Sequence, residues 1–258
     1  MSRDELIAAM RDHGLSPRAG EFSEREATDR IFGVFGHVPP RIAWLVHLAL
    51  LSGVDPGERD RVIGGEQLWS WAPHASPGPD LGLVNASDWV LAVFEHKRDA
   101  RSNVTSYARF KGRRRFDDPV AQSLIVPEHT RGLHAPAECR GCEDHWHTGL
   151  RKGRFAAGMP QIDFYRCTPD RWVRPLRNGG SIHLPDPASV LWVLIDRYGR
   201  SAGEAFPGSH TAAHWHTTSY DDLGPALWTA YESALSDTES GSQGIEGLGK
   251  ALEAVVYP

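Results

Sequence analysis

The sequence of 258 residues has few cysteines and no long apolar run, and both absences exclude classes of protein. Its 3 cysteines are too few for a disulfide framework, and two of them form a C-x-x-C motif, which predicts a reducing, cytoplasmic location. The most apolar stretch, residues 42–51, is interrupted by His47 and is shorter than the roughly 18 apolar residues of a membrane helix. Residues 1–14 carry charges where a signal peptide would be apolar, so we expect neither secretion nor membrane insertion.

The chain is mildly acidic overall but contains one basic block. The net charge is −5, yet residues 98–115 contain seven basic side chains and a single acid, Asp99. The basic residues of this block are Arg98, Arg101, Arg109, Lys111, Arg113, Arg114 and Arg115. A local basic patch on an acidic chain predicts a polyanion partner at one place. The alternative is a solvated helix face followed by a basic loop.

Capping residues and apolar spacing predict helices in the first part of the chain. Residues 1–20 have the pattern of a short amphipathic helix that ends in a turn. Ser23 is positioned to cap a helix that begins at Glu24, with Glu26 at its third position as in a capping box. Pro40 favours the start of a second, nearly all-apolar helix over residues 41–52.

Short apolar runs between turn-forming residues predict the strands of a sheet. Residues 81–84 and 89–94 predict a hairpin, and residues 161–167, 189–196 and 216–219 predict further strands. Helices are expected over residues 103–110 and 222–235, a loop-rich insertion over 117–160, and a C-terminal tail over 236–258. We therefore expect a single α/β or α+β domain over residues 1–235.

Three charged side chains converge at one end of the predicted hairpin. If Val84 pairs with Trp89, Asp80 lies diagonal to Glu95. Because side chains alternate along a strand, Glu95 and Lys97 share the face of Asp80. The strand is apolar on both faces, which predicts a central strand, and charges at the end of such a strand are costly unless they are partnered. The alternative is an exposed ion pair at a strand end next to a plain turn.

Two carboxylates and an ammonium group suit a hard divalent cation and a phosphate. Mg²⁺ or Mn²⁺ takes oxygen ligands. Asp80 and Glu95 are therefore the expected metal ligands, aided by the backbone carbonyl of His96. A metal ion makes its bound water more acidic, and Lys97 can position that water. This group of residues favours the hydrolysis of phosphodiester bonds.

These residues resemble the motif of the PD-(D/E)XK nuclease superfamily. Pro79-Asp80 corresponds to its PD, and Glu95-His96-Lys97 corresponds to its E-x-K. The resemblance implies an α/β, restriction-endonuclease-like fold with a mixed central sheet flanked by helices. It also implies a Mg²⁺-dependent nuclease that acts on DNA, often as a homodimer. A third acid on an early helix is part of the pattern, here Glu24 or Glu26, and Tyr107 would follow on a later helix. Glu24 is favoured as a catalytic residue because it lies on the apolar stripe of its helix.

The basic block begins one residue after Lys97, so it lies beside the predicted site in the sequence. Phosphate contacts from basic side chains provide affinity that does not depend on base sequence. The expected nucleic-acid-binding residues are Arg98, Arg101, Arg113, Arg114 and Arg115.

Cysteines and histidines crowd the loop-rich insertion. Cys139 and Cys142, with His145 or His147, have metal-ligand spacing, and Cys167 could complete a tetrahedral Zn²⁺ site. A structural zinc ion would order this long irregular segment, and free thiols with surface histidines are the alternative. Two rival functions also stay open: a protein of nuclease fold that binds nucleic acid without cutting it, and a zinc hydrolase centred on this loop.

Overall fold

The computed structural model describes residues 1–71, 78–98, 161–167, 182, 183, 185, 187–207, 209 and 211–258. In these residues the chain forms a mixed five-stranded sheet flanked by helices, which is an α/β architecture. The helices are α1 (Arg3–Asp12), α2 (Glu24–Phe32), α3 (Pro40–Leu50), α4 (Pro56–Ile63), α5 (Gln161–Cys167), α6 (Ala202–Ala205), α7 (Tyr220–Ser236) and α8 (Ser242–Val255). The strands are β1 (Leu68–Trp71), β2 (Leu81–Asn85), β3 (Val90–Lys97), β4 (Leu191–Asp196) and β5 (Trp215–Ser219).

The five strands lie side by side in the order of the chain. β1, β2 and β3 pair antiparallel, whereas β3, β4 and β5 pair parallel. β3 is therefore hydrogen-bonded along both edges. Val93 and Phe94, on its opposite faces, are both fully buried. This burial confirms the central strand that its apolar residues on both faces predict.

Most of the predicted elements within the described residues are present. The helices expected near residues 1–20, 24–36, 41–52 and 222–235 correspond to α1, α2, α3 and α7, and the strands expected at 189–196 and 216–219 correspond to β4 and β5. The helix expected at 103–110 and the insertion expected at 117–160 lie outside the described residues. None of the helices in the described ranges is long and apolar enough to cross a membrane.

Helix α2 begins where its capping residues predict. Ser23 Oγ accepts the backbone N–H of Glu26 at 3.3 Å, and the Glu26 carboxylate accepts the backbone N–H of Ser23 at 2.8 Å. This reciprocal pair is a capping box, which satisfies N–H groups that a helix leaves free at its start. Ala27 and Ile31 bury the inner side of the helix. The first turn, and with it the backbone of Glu24, is thereby held in place.

The main hydrophobic core lies between one face of the sheet and the helices. The sheet contributes Leu81, Leu83, Ala92, Phe94, Leu191, Val193 and Ile195. Helices α1, α3, α7 and α8 cover these residues with side chains that include Met10, Leu50, Leu227 and Leu252, all fully buried. Because side chains alternate along a strand, Glu95 and Lys97 lie on the opposite face of the sheet.

A close contact between the end of α3 and β5 requires a glycine. A Cβ atom at Gly53 would lie only 1.9 Å from the backbone oxygen of Thr217. The Gly53 N–H donates to Thr218 Oγ1 at 3.1 Å, and this hydroxyl donates to the carbonyl of Leu50 at 2.9 Å. These bonds connect the helical layer to β5.

The predicted hairpin forms, but the expected pairing of Val84 with Trp89 is wrong. Val84 pairs with Val90, and a β-bulge next to Val84 shifts the pairs beyond it by one further residue. Beyond the bulge the total shift is two residues, so residues 81–83 keep the face of the sheet that the prediction gave them. Leu81 consequently pairs with Phe94, which brings Asp80 next to Glu95 at the end of the hairpin.

Two segments differ from their predicted structure. Residues 161–167 form helix α5 and not a strand, because Ile162 and Tyr165 are buried three positions apart, which is a helical spacing. The expected C-terminal tail contains helix α8, whose Leu248 and Leu252 are fully buried in the main core. The core therefore continues beyond residue 235 instead of ending there.

Candidate active site

The C-terminal end of β3 brings together the charged residues that the motif predicts. Lys97 Nζ lies 2.5 Å from Glu95 Oε1 and 3.2 Å from Glu24 Oε1. The side chains of Lys97 and Glu95 are 6% and 1% exposed, so water screens their attraction only weakly. Glu24, the first residue of α2, is the acid that reaches the site, whereas the carboxylate of Glu26 is engaged in the capping box.

Asp80 reaches the same end of the sheet from β2. Its N–H donates to the carbonyl of Phe94 at 3.0 Å, and its Oδ2 accepts the N–H of His96 at 2.8 Å. The N–H and C=O of one strand residue point to the same side, so the His96 carbonyl also faces the side of Asp80. Asp80 is partly exposed and Glu95 is buried. The pair of carboxylates is therefore more accessible from the Asp80 side.

Burial and neighbouring charges shift the pKa values in this group. Burial, and then the charge of Asp80, raises the pKa of Glu95 from 4.5 to about 8 against the opposing effect of Lys97. Burial raises the pKa of Asp80 as well. Burial disfavours the Lys97 ammonium, but Glu95, Glu24 and Asp80 together outweigh it and raise its pKa. Lys97 is therefore a permanent cation, and Glu95 can exchange a proton near neutral pH.

His96 anchors the motif to the helices from the other face of β3. Its Nδ1 lies 2.7 Å from Thr28 Oγ1, and its Nε2 lies 2.6 Å from the hydroxyl of Tyr220. The single hydrogen of the Thr28 hydroxyl is donated to the backbone carbonyl of Glu24 at 2.8 Å. His96 Nδ1 must therefore donate to Thr28, and Nε2 must accept from Tyr220. The chain of bonds links β3 to both α2 and α7.

The ring of His96 is a neutral structural element. Burial, together with Lys97 and Arg98, lowers the pKa of His96 to about 3. Sequence reasoning assigned a role to the backbone of His96 and none to Thr28 or Tyr220. The sequence indicates a role for Thr28 only through its position one helical turn after Glu24. It does not indicate that Tyr220 contacts His96, because the two residues are far apart in the chain.

Arg98 lies inside the protein and not on the surface expected for a phosphate contact. Its guanidinium donates to the carbonyl of Gly20 at 2.7 Å, and the residue is 7% exposed. Its backbone N–H donates to Glu24 Oε2 at 3.3 Å. Arg98 thus supports the segment that carries Glu24.

The remaining predicted site residues fall largely outside the part of the chain that the structure describes. These are Arg101, Tyr107, Arg113, Arg114, Arg115, Cys139, Cys142, His145 and His147. Cys167 is the last residue of helix α5, and the expectation that a strand carries it is wrong. The zinc site and most of the basic block accordingly stay predictions.

The donor set at the end of β3 fits a divalent cation that keeps part of its water shell. Within the described ranges, no group of three or more His, Cys, Asp or Glu side chains is placed to hold a metal ion. However, Glu95 Oε2 is buried with no hydrogen-bond partner among these residues, beside the like charge of Asp80. Mg²⁺ commonly uses one or two carboxylates and completes its shell with water and phosphate oxygens. Asp80, Glu95 and the His96 carbonyl can provide the protein's share.

Comparison of the chain with protein-family models, with curated proteins and with solved structures finds no match. The likeness to the PD-(D/E)XK superfamily therefore depends on the motif over residues 79–97 and on the order of the elements around it. The geometry at the end of β3 is the basis for any function assigned to the chain.

Proposed function

We propose that this protein is a divalent-metal-dependent nuclease that hydrolyses phosphodiester bonds in DNA. The observation that carries the proposal is the Lys97 ammonium, held between the carboxylates of Glu95 and Glu24 at the end of a central strand, beside Asp80. Burying several charges in one place is costly even when they are paired. Groups with shifted pKa values also concentrate at functional sites. Both considerations favour a chemical role over a purely structural one.

The order of the elements supports a restriction-endonuclease-like fold. Helix α2, with an acid in its first turn, precedes the antiparallel strands β1, β2 and β3, and the sheet continues with the parallel strands β4 and β5. The PD dipeptide comes immediately before β2, and the E-x-K residues end β3. This arrangement agrees with the one that the superfamily resemblance implies.

Each charged residue has a separate role in the proposed reaction. Asp80 and Glu95, with the His96 carbonyl, would hold Mg²⁺ or Mn²⁺. When bound, such an ion supplies Lewis-acid chemistry to the phosphate and makes an attacking water more acidic. Lys97 stays protonated, so it donates hydrogen bonds that orient the water and offsets the charge that develops on the phosphate. Glu24 positions Lys97.

Incubation of the purified protein with plasmid and linear DNA, with and without Mg²⁺ or Mn²⁺, tests the proposal. We expect cleavage only with metal, and a rate loss of about 100-fold or more in Asp80→Asn and Lys97→Met. Glu246→Gln and Lys250→Met are matched controls, because this exposed pair also makes a 2.5 Å contact. Cleavage that survives Asp80→Asn or Lys97→Met, or that needs no metal, overturns the assignment.

The ion pairs of Lys97 also favour a second candidate, a protein of the same fold that binds nucleic acid without cutting it. Lys97 already contacts two carboxylates, and the described residues offer no three-ligand metal group. Mn²⁺ titration followed by electron paramagnetic resonance separates the two candidates. A nuclease binds Mn²⁺, and Glu95→Gln weakens this binding, whereas the second candidate retains DNA binding and takes up no Mn²⁺ at the site. The rival zinc hydrolase concerns residues outside the described ranges.

A further inference from the structure

The turn that follows β4, residues 196–200, lies directly beside the end of β3. Asp196 pairs with Lys97 in the parallel register, and the Arg197 N–H donates to the Lys97 carbonyl at 3.0 Å. One backbone hydrogen bond therefore connects this turn to the residue whose ammonium occupies the candidate active site.

Hydrogen bonds to a buried carboxylate stabilise the turn. The carboxylate of Asp196 is fully buried and accepts the N–H groups of Tyr198 at 2.9 Å and of Arg200 at 3.0 Å. The same carboxylate accepts the Arg200 guanidinium at 2.6 Å. Gly199 has a φ of 66°, in the left-handed region that favours glycine. Thr217 Oγ1 closes the turn by donating to the Arg200 carbonyl at 3.1 Å.

The turn presents an exposed tyrosine with two guanidinium groups near its ring. Tyr198 is 53% exposed, and Cζ of Arg197 and of Arg200 lie 4.9 and 5.4 Å from the centre of its ring. Asp196 balances the charge of Arg200. The Arg197 guanidinium lies 4.1 Å from the ring centre of Tyr257 and forms no ion pair with a carboxylate of the described residues. The turn thus displays an aromatic ring together with a guanidinium group that pairs with no carboxylate of the described residues.

We propose that this turn binds a single-stranded segment of nucleic acid, with a base stacked on Tyr198 and a phosphate on Arg197. The proposal rests on the proposed nuclease function, because the turn adjoins the site at which the strand would be cut. Every base has a face that can stack on an aromatic ring, and a guanidinium matches the geometry of phosphate oxygens. The bases of a duplex are already stacked on one another, so an exposed ring favours a single strand.

Binding of a fluorescein-labelled single-stranded DNA, followed by anisotropy in a chelating buffer that prevents cleavage, tests this proposal. We expect Tyr198→Ala to weaken binding by about tenfold. Tyr198→Phe keeps the ring and should bind within about twofold of wild type. Arg197→Ala should make the plot of log K against log salt concentration less steep by about 0.7, which is the value for one phosphate contact on a single strand.

Matched variants remove similar groups elsewhere. Trp89→Ala removes an aromatic ring that is 42% exposed at the other end of β3, and Arg11→Ala removes an exposed arginine of α1. Both should bind like wild type, and melting followed by circular dichroism checks that each variant is folded. The proposal is overturned if wild type does not bind the single strand. It is also overturned if Tyr198→Ala and Arg197→Ala bind as the controls do, or if Tyr198→Ala weakens duplex binding equally.

The outcome is separable from that of the nuclease assay. Cleavage that survives Asp80→Asn, combined with weak strand binding by Tyr198→Ala, refutes the nuclease and keeps the binding turn. Cleavage that is lost in Asp80→Asn, combined with normal strand binding by Tyr198→Ala, keeps the nuclease and refutes the binding turn.

Discussion

Replacing Glu95 by Gln is expected to change how the stability of the protein depends on pH. Glu95 is buried beside Asp80, and in the folded protein its pKa rises from 4.5 to about 8. Between these two values the folded state holds a proton that the unfolded chain has released. The contribution of Glu95 to stability is therefore complete below pH 4.5 and falls as the pH rises toward 8. The Glu95→Gln variant has no such group and lacks this fall.

The magnitude follows from the size of the pKa shift. For one group, each pH unit between the two pKa values costs about 1.4 kcal/mol. From about pH 5.5 to about pH 7.5, the free energy of unfolding of wild type should fall by about 3 kcal/mol relative to that of Glu95→Gln. The prediction concerns this change with pH, because the offset at any one pH also contains the lost contact with Lys97.

Urea unfolding of wild type and Glu95→Gln across this pH range, with chelator present, measures the change. Glu246→Gln is the control, since Glu246 also contacts a lysine but is exposed, and its pKa is lowered by its hydrogen bond with Lys250. Its stability should run parallel to that of wild type in this range. A constant difference between wild type and Glu95→Gln across the range would show that burial and Asp80 do not raise the pKa of Glu95.

Three further outcomes follow from contacts around the site. Tyr220→Phe leaves His96 Nε2 buried without a donor, so chemical unfolding should show a loss of about 1–3 kcal/mol. Gly53→Ala forces a Cβ atom against the backbone of Thr217, so the melting temperature should fall, with a loss of about 1–3 kcal/mol or more. If Mn²⁺ binds at Glu95, its affinity, measured by calorimetry, should increase about tenfold with each unit by which the pH is raised toward 8, because the carboxyl must first lose its proton.

Controls for these variants come from the same elements. Tyr231 lies on α7 like Tyr220, and its hydroxyl has no hydrogen-bond partner among the described residues. Tyr231→Phe should therefore be nearly neutral, and an equal loss in both variants would contradict the role given to Tyr220. A Cβ atom at Gly36 would meet no atom within 4 Å. Stability that is unchanged in Gly53→Ala, or lowered as much in Gly36→Ala, would contradict the close approach to β5. A Mn²⁺ affinity that does not vary with pH would exclude Glu95 as a ligand.

The sequence by itself determined the elements whose signals are local. The capping box at Ser23 and Glu26 marks the start of α2, because a cap involves residues only three apart. Continuous apolar residues mark β3 and β4 as buried strands, because such runs satisfy both faces of a sheet. The two-residue period also put Glu95 and Lys97 on one face, and this conclusion does not depend on how the strands pair, because both residues belong to β3.

Only the tertiary structure decided which distant residues meet. The β-bulge next to Val84, which changes the position of Asp80 relative to Glu95, depends on how two whole strands fit together, and no single position in the sequence marks it. Helix α8 enters the core because the other helices leave an apolar surface that it covers, although a polar, Gly/Ser-rich segment precedes it. The ion pair of Glu24 with Lys97 joins residues that are far apart in the chain. Asp196 bonds near neighbours in the sequence, but its carboxylate is buried by other elements. Their energies arise from burial and distance, which exist only after the chain has folded.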